Sequence, residues 1–186
     1  MSSQPETITR ILDSAESHIC KKGYNAFSFR EIAEEIGIKS ASVHYHFPTK
    51  ANLAAAVVLR YTKNFIENLG QSDLPDAQAK QLLKKYIQEF QNILLTSGGM
   101  CVGGILGAEL TSLPDEVANA TRHFFTENLK WLAEVLQLQS GGVDMKNNQL
   151  QAVKVLAMLE GTLILMRTLG REVQFEEMVE DLLNLS

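Results

Sequence analysis

The residues best suited to a chemical role lie between positions 39 and 50, where side chains that donate or accept hydrogen bonds follow one another closely. They are Lys39, Ser40, Ser42, His44, Tyr45, His46 and Lys50. These side chains are small, flat or flexible, so they can contact base edges and phosphates in a major groove. The segment from Lys39 to Lys63 contains no Asp or Glu, and its basic residues are Lys39, Lys50, Arg60 and Lys63. An acid-free basic segment favours contact with the phosphates of a nucleic acid.

Two short helices joined by a tight turn must position these residues. Ser28 and Glu31 have the spacing of a capping box, so we predict that a helix begins at Ser28. Gly37 suits the positive φ of a sharp turn. Ser40 to His46 then forms the second predicted helix, which ends before Pro48. Two short helices joined in this way make a helix-turn-helix.

This segment resembles the DNA-binding domain of TetR-family transcriptional regulators. The resemblance is carried by the run IKSASVHYHFPTK from Ile38 to Lys50, preceded by Gly37 and by Ser28 with Ile32-Ala33. It continues at residues outside this run, which are Ile11, Leu12, Ala15, Gly23, Tyr24 and Leu53. The matching residues cover roughly the first third of the chain.

The resemblance implies a dimeric repressor that binds double-stranded operator DNA and responds to a small-molecule effector. We expect Ser28 and Lys50 to hold phosphates and His46 to contact the DNA backbone. The residues expected at base edges or nearby phosphates are Arg30, Lys39, Ser40, Ser42, His44 and Tyr45. Lys39 stands where the family more often has a capping Ser or Thr, and His44 where it usually has Tyr. These departures leave the operator sequence open.

The composition favours an all-α fold. The chain has 186 residues, of which 45% are hydrophobic, and its apolar residues recur at helical rather than alternating spacing. We predict a three-helix helix-turn-helix DNA-binding domain over residues 1–50. A helical effector-binding and dimerisation domain follows over residues 51–186.

Charge is unevenly distributed along the chain. The net charge is −5, but the first 64 residues contain 8 Lys and Arg against 6 Asp and Glu, and the remainder contains 9 against 16. This asymmetry fits a DNA-binding segment followed by an acidic domain that stays off DNA, although ordinary variation in surface charge explains it nearly as well.

A long helix is predicted to connect the two domains. Thr49 can cap it, and its apolar stripe advances by four residues each time, through Leu53, Val57, Tyr61, Phe65 and Leu69. Because it begins at the DNA-binding segment and ends in the second domain, it can transmit a change from one to the other.

Two C-terminal helices are predicted to form a dimer surface. The first, from Met145 to Leu169, is apolar nearly all round, which requires a central position in a core or a shared surface with a partner chain. Gly161 would allow close approach of a partner helix, and the second helix runs from about Val173 to Leu185. Two-fold symmetry would place two recognition helices about one DNA turn apart.

The run from Met100 to Leu110 carries Gly103, Gly104 and Gly107 within an apolar helical pattern, although glycine destabilises helices. Either a close helix crossing or an adjacent cavity explains these glycines. Cys101 is either an inert buried thiol or an accessible, acidic thiol that senses electrophiles or oxidants. Regulators with a similar Gly-x-Cys run suggest the second alternative.

Candidate effector contacts are spread over several predicted helices, where aromatic residues serve a core as readily as a pocket. They are Tyr86, Phe90, Cys101, Ile105, Phe125, Trp131, Met158 and Thr162.

Other chemistry finds little support in the sequence. There is no phosphate-binding glycine loop, His-Glu-x-x-His, Cys-x-x-Cys or nucleophile elbow, so we expect no catalytic residue, metal or cofactor. His44 and His46 point to different sides of a helix, which suits DNA contact better than metal binding. The start of the chain has no apolar run, and we expect a cytoplasmic protein. Two alternatives to a DNA-binding regulator stay open. One is a helical small-molecule-binding or interaction protein whose helix-turn-helix packs on protein instead of DNA, and the other is an all-α enzyme.

Overall fold

The computed structural model describes residues 4–70, 72, 79–96, 100–139 and 145–170, and in these ranges the chain forms helices without a strand. The described α-helices are α1 (Gln4–Lys22), α2 (Phe29–Ile36), α3 (Ser40–His46), α4 (Lys50–Leu69), α5 (Ala79–Thr96), α6 (Val102–Ala108), α7 (Asp115–Gln139) and α8 (Met145–Leu169). Two 3₁₀ turns, Tyr24–Ala26 and Leu110–Ser112, were not expected from the sequence. The predicted all-α fold is confirmed.

The helices pack into two compact units. The first contains Met1–Thr62 and Val102–Phe124, and the second contains Lys63–Cys101 and Phe125–Ser186. Helices α4 and α7 therefore contribute residues to both units. These units are defined by packing rather than by function, so the boundary between residues 50 and 51 stays a prediction.

In the first unit, α1 packs against α2 and supports the helix-turn-helix. The core residues Ile11, Ile32 and Val43 come from α1, α2 and α3 and are fully buried. The Ser14 hydroxyl on α1 donates a hydrogen bond to Glu35 Oε2 on α2 at 2.7 Å. This polar contact fixes how α1 meets the edge of α2.

A glycine allows α6 to pack closely against α7 in the same unit. A Cβ atom at Gly103 would lie 2.2 Å from Phe124 Cδ1, far inside van der Waals contact. The close-crossing explanation therefore holds at Gly103, because the Phe124 ring occupies the space that a side chain would need.

In the second unit, α5 packs against α8 around a core that includes Phe65, Tyr86, Phe90, Leu132 and Leu159. The bounds predicted for α8 agree with the structure. The predicted helix from Val173 to Leu185 lies outside the described residues. None of the described helices combines the length and the apolar run that a bilayer crossing requires.

Candidate functional site

The capping box predicted at the start of α2 is present. The Ser28 hydroxyl accepts a hydrogen bond from the Glu31 backbone N–H at 3.3 Å, and Glu31 Oε2 accepts one from the Ser28 N–H at 2.7 Å. These bonds lower the pKa of the Glu31 carboxyl. Two backbone donors at the helix start are thereby satisfied, which fixes the first turn of α2.

The turn between α2 and α3 follows from its glycine. Gly37 has φ 72° and ψ 38°, a left-handed conformation, and its N–H bonds back to the last turn of α2. Helix α3 then runs from Ser40 to His46, and Phe47 adopts the extended backbone expected before Pro48. The sequence therefore predicted both the turn and the limits of α3.

Helix α3 is fixed by one buried residue and presents the others outward. Val43 is fully buried, whereas Tyr45 is 74% exposed. The His44 ring makes an edge contact with Phe29 of α2, at 4.5 Å between ring centroids, but the residue stays exposed. The predicted DNA contacts that are exposed are Ser28, Arg30, Lys39, His44 and Tyr45, and those that are half-buried are Ser40, Ser42, His46 and Lys50.

Two of the basic residues predicted to contact DNA already have partners in the first unit. Arg30 forms an exposed ion pair with Glu34 at 2.8 Å. The Lys50 ammonium lies 4.8 Å from the Tyr24 ring centroid and 4.6 Å from that of Phe27. Partial burial lowers the pKa of Lys50, and the carboxylates of Glu31 and Glu109 oppose that shift. The aromatic rings hold the Lys50 ammonium at the start of α4.

The expectation that Arg60 belongs to a phosphate-facing surface is wrong. Its guanidinium bonds to Asp13 Oδ1 at 2.7 Å and to Glu16 Oε2 at 2.8 Å. These two acids of α1 neutralise Arg60 and hold it against that helix. The acid-free segment of the sequence meets acids from elsewhere in the fold, which linear charge counting cannot detect.

Some candidate effector residues come together in the second unit. Tyr86 stacks on Trp131 at 5.5 Å between centroids and contacts Phe90 at 5.4 Å and Phe65 at 5.6 Å. We call Phe65, Tyr86, Phe90 and Trp131 the aromatic cluster. Its two polar members have partners, because the Tyr86 hydroxyl bonds to Asn128 Oδ1 at 2.8 Å and Trp131 Nε1 donates to the Gly70 carbonyl at 3.0 Å.

The other candidates are placed differently. Ile105 belongs to the first unit, Phe125 is half-buried, and Met158 is exposed. Thr162 is buried, and its hydroxyl donates a hydrogen bond to the backbone carbonyl of Met158 in α8, with 2.7 Å between the two oxygens. The hypothesis of an accessible Cys101 is wrong, since the residue, directly before α6, is 0% exposed.

Sequence reasoning missed two acids. Glu109 Oε2 accepts a hydrogen bond from the Tyr24 N–H at 2.9 Å, a contact across 85 residues that no local pattern indicates. Glu160 on α8 buries both carboxylate oxygens, and neither meets a nitrogen or oxygen donor in the described part of the chain. The sequence does contain a feature that could have indicated a buried Glu160, because it is the one acid within the apolar run from Val155 to Met166.

The negative charge of an ionised Glu160 carboxylate would be poorly compensated by its surroundings. Burial raises the pKa of its carboxyl to about 7, while hydrogen bonding by the Cys101 thiol acts in the opposite direction. Burial also raises the pKa of the Tyr86 phenol, and the charges of Cys101 and Glu160 raise it further. Tyr86, Cys101 and Glu160 are therefore electrostatic neighbours. Among the described residues, no group of three His, Cys, Asp or Glu is arranged to hold a metal ion.

Comparisons with known proteins agree with this geometry. Residues 11–57 match the family model described as bacterial regulatory proteins, tetR family. A solved TetR transcriptional regulator from Legionella pneumophila is 35% identical, with a TM-score of 0.83 over 100% of this chain and 97% of that chain. A TetR-family regulator from Agrobacterium tumefaciens is 25% identical, with a TM-score of 0.88 over 98% of each chain.

A sequence relative shows the same likeness over most of the chain. An HTH-type transcriptional regulator in the lacX 3′ region of Lactococcus lactis subsp. lactis is 26% identical over 166 residues, which cover 87% of this chain and 83% of that protein. The helix-turn-helix of the first unit, the family match and the full-length likeness to the Legionella pneumophila regulator lead to one conclusion. This chain belongs to the TetR family of DNA-binding transcriptional regulators.

Proposed function

We propose that the chain is a homodimeric repressor that binds operator DNA through α3 and is released when a small apolar or electrophilic effector enters the second unit. The observation that carries this proposal is the presentation of α3, which buries Val43 and leaves His44 and Tyr45 exposed. A helix needed only for packing would turn its large aromatic side chain inward. The protein acts in the cytoplasm as a regulator and not as an enzyme.

Base recognition and phosphate contact are divided between different residues in this proposal. Ser40, Ser42, His44 and Tyr45 on α3 contact base edges or nearby phosphates, together with Arg30 and Lys39, while His46 contacts the DNA backbone. Ser28 and Lys50 hold phosphates at the starts of α2 and α4. The aromatic rings beside Lys50 limit its motion, so less conformational freedom is lost when a phosphate binds.

Exposed apolar side chains on α8 support the dimer. They are Leu150, Val153, Met158, Ile164, Leu165 and Leu169, and each is between 38% and 58% exposed. A patch of this kind on a soluble protein marks a surface that a partner covers. Gly161 adds open space on the same helix, since a Cβ atom there would meet no heavy atom of the described residues within 4 Å. A second copy of α8 is the proposed partner.

The effector acts through the core of the second unit. Cys101 is buried, so an electrophile would reach its thiol only by entering that core. Helix α4 contributes Phe65 to the aromatic cluster and carries Lys50 at its other end. An effector that favours one arrangement of α4 would change the separation of the two α3 helices in the dimer. Coupling of about 1–3 kcal/mol is typical of such linkage.

A mobility-shift assay tests the proposal. The DNA is the region upstream of the chain's own gene, at stated salt, because regulators of this kind often bind beside themselves. We expect one retarded band that contains two protomers per site and that Tyr45→Ala abolishes. Equal binding to unrelated DNA of the same length, or a single protomer per site, would contradict the proposed function.

A further inference from the structure

The described part of the second unit contains a buried acid, Glu160 on α8. Both oxygens of Glu160 are inaccessible to solvent and lack a nitrogen or oxygen donor in the described ranges. Transfer of a carboxylate from water to a protein interior is strongly unfavourable unless a cation or several donors compensate for it. A buried group of this kind in a native protein therefore needs an explanation, and one explanation is a ligand that supplies the missing donor.

The two groups that interact electrostatically with Glu160, Tyr86 and Cys101, do not supply this donor. The Tyr86 hydroxyl, whose proton could otherwise point to the carboxylate, is bonded to Asn128 Oδ1 at 2.8 Å. The Cys101 thiol is a weak donor, and its effect on Glu160 is outweighed by burial. A donor for the acid must therefore come from outside these residues.

The surroundings also indicate the shape of such a ligand. Tyr86, which lies in the electrostatic field of Glu160, belongs to the aromatic cluster and stacks on Trp131 with an interplanar angle of 19°. Aromatic faces bind apolar groups and attract cations. An acid whose charge acts on a member of an aromatic cluster suits a molecule with a positive nitrogen at one end and an apolar body.

We propose that Glu160 anchors the effector and that the effector is a small lipophilic amine, whose ammonium donates to the Glu160 carboxylate while its apolar part packs against the aromatic cluster. This inference rests on the proposed small-molecule control of the regulator. It excludes carboxylate effectors such as fatty acids, because two anions would meet in a buried site. This inference narrows the proposed effector to an apolar molecule that carries one amine, and it sets aside an electrophile that reacts with Cys101.

Binding of matched probes to the full chain, without DNA, tests the proposal. The probes are 3-phenylpropylamine and 4-phenylbutylamine, with the alcohol and carboxylate of the same carbon skeletons, and the signal is the fluorescence of Trp131, the single tryptophan. At pH 8 we expect at least one amine to bind about ten-fold or more tightly than its alcohol, and the carboxylates to bind most weakly.

Variants separate charge pairing from general effects. Glu160→Gln should abolish the preference for amine over alcohol and leave alcohol affinity within about two-fold, since the amide keeps the size of the side chain. Glu67→Gln removes an exposed carboxylate of the same unit, which pairs with Lys63 at 3.7 Å, and should keep the preference. An amine preference that survives Glu160→Gln, or no amine preference in the wild-type chain, would overturn the proposal.

DNA binding is measured separately by anisotropy, so the two proposals can fail independently. Amine binding without any change in DNA affinity would refute the effector role of the site and leave DNA binding intact. If the wild-type chain does not bind operator DNA at all, the proposed repressor function is refuted instead.

Discussion

The carboxylate of Glu109 accepts a hydrogen bond from the backbone N–H of Tyr24 at 2.9 Å, directly before the helix-turn-helix. The same acid fills the space beside Gly23, where a Cβ atom would lie 2.0 Å from Glu109 Oε1. Residues that follow α6 in sequence therefore belong to the packing of the first unit. Glu109 also favours the charged form of Lys50, a predicted phosphate contact.

Gly23→Ala should destabilise the protein by about 1–3 kcal/mol, because Gly23 has φ 82° and ψ −171° and the added methyl group would displace Glu109. Urea denaturation measures this destabilisation. Gly37→Ala is the control, since Gly37 also has positive φ, but no heavy atom of the described residues lies within 4 Å of a Cβ placed there. Its left-handed conformation is also one that other residues adopt more readily. Equal destabilisation in the two variants would show that the Glu109 contact adds nothing.

Ser28→Ala should lower stability by about 0.5–2 kcal/mol, because the variant has no hydroxyl to accept from the Glu31 N–H. Circular dichroism during thermal unfolding measures this change. Ser28→Thr keeps a hydroxyl acceptor and should retain most of the stability. If Ser28→Thr destabilises the protein as much as Ser28→Ala, the cap does not stabilise α2.

Lys50→Ala should weaken binding to every DNA sequence. It should also reduce the slope of log affinity against log salt by about 1, because one phosphate is no longer neutralised by a lysine. Ser42→Ala should keep the slope and change the sequence preference. Anisotropy titrations at several salt concentrations separate these effects. Lys84→Ala, which removes an exposed lysine of α5 in the second unit, is the control and should leave the slope unchanged. A similar decrease of slope in the Lys50 and Ser42 variants would refute this division of roles.

Glu160→Gln should change the pH dependence of stability. The Glu160 carboxyl titrates near 7 in the folded chain, with a pKa raised from its ordinary 4.5. Between pH 4.5 and pH 7 the unfolded chain loses the proton of the Glu160 carboxyl while the folded chain keeps it. The folded wild-type protein therefore loses about 3 kcal/mol of stability across this range, and the loss stays constant at higher pH.

The side chain of the Glu160→Gln variant does not titrate. The stability of this variant relative to wild type should therefore improve by about 3 kcal/mol between pH 4.5 and pH 8. Urea denaturation at one protein concentration checks this, because dimerisation makes stability depend on concentration. A constant difference between the two proteins across this range would show that Glu160 is ionised normally in the fold.

Local signals account for what the sequence predicted well. The Ser28 cap, the left-handed Gly37 and the extended Phe47 depend on residues within a few positions of each other, and so their geometry follows from short-range chemistry. The limits of α8 were predicted equally well because a long apolar run ends at recognisable turn residues.

Contacts between distant segments account for what the sequence did not predict. Arg60 meets Asp13 and Glu16 on α1, and Glu109 meets Tyr24, only because helices far apart in sequence pack together. The buried state of Cys101 likewise depends on the packing around it and not on its position before α6. Periodicity identifies which face of a helix is buried, but it does not identify the element that covers that face.

In the proposed function, two copies of α3 contact one face of duplex DNA. Hydroxyl-radical footprinting of the region upstream of the chain's own gene measures this directly. We predict two protected segments centred about 10 base pairs apart, or a multiple of that spacing, which disappear with Tyr45→Ala while the variant stays folded and dimeric. A single protected segment, or protection unchanged by Tyr45→Ala, would contradict the claim.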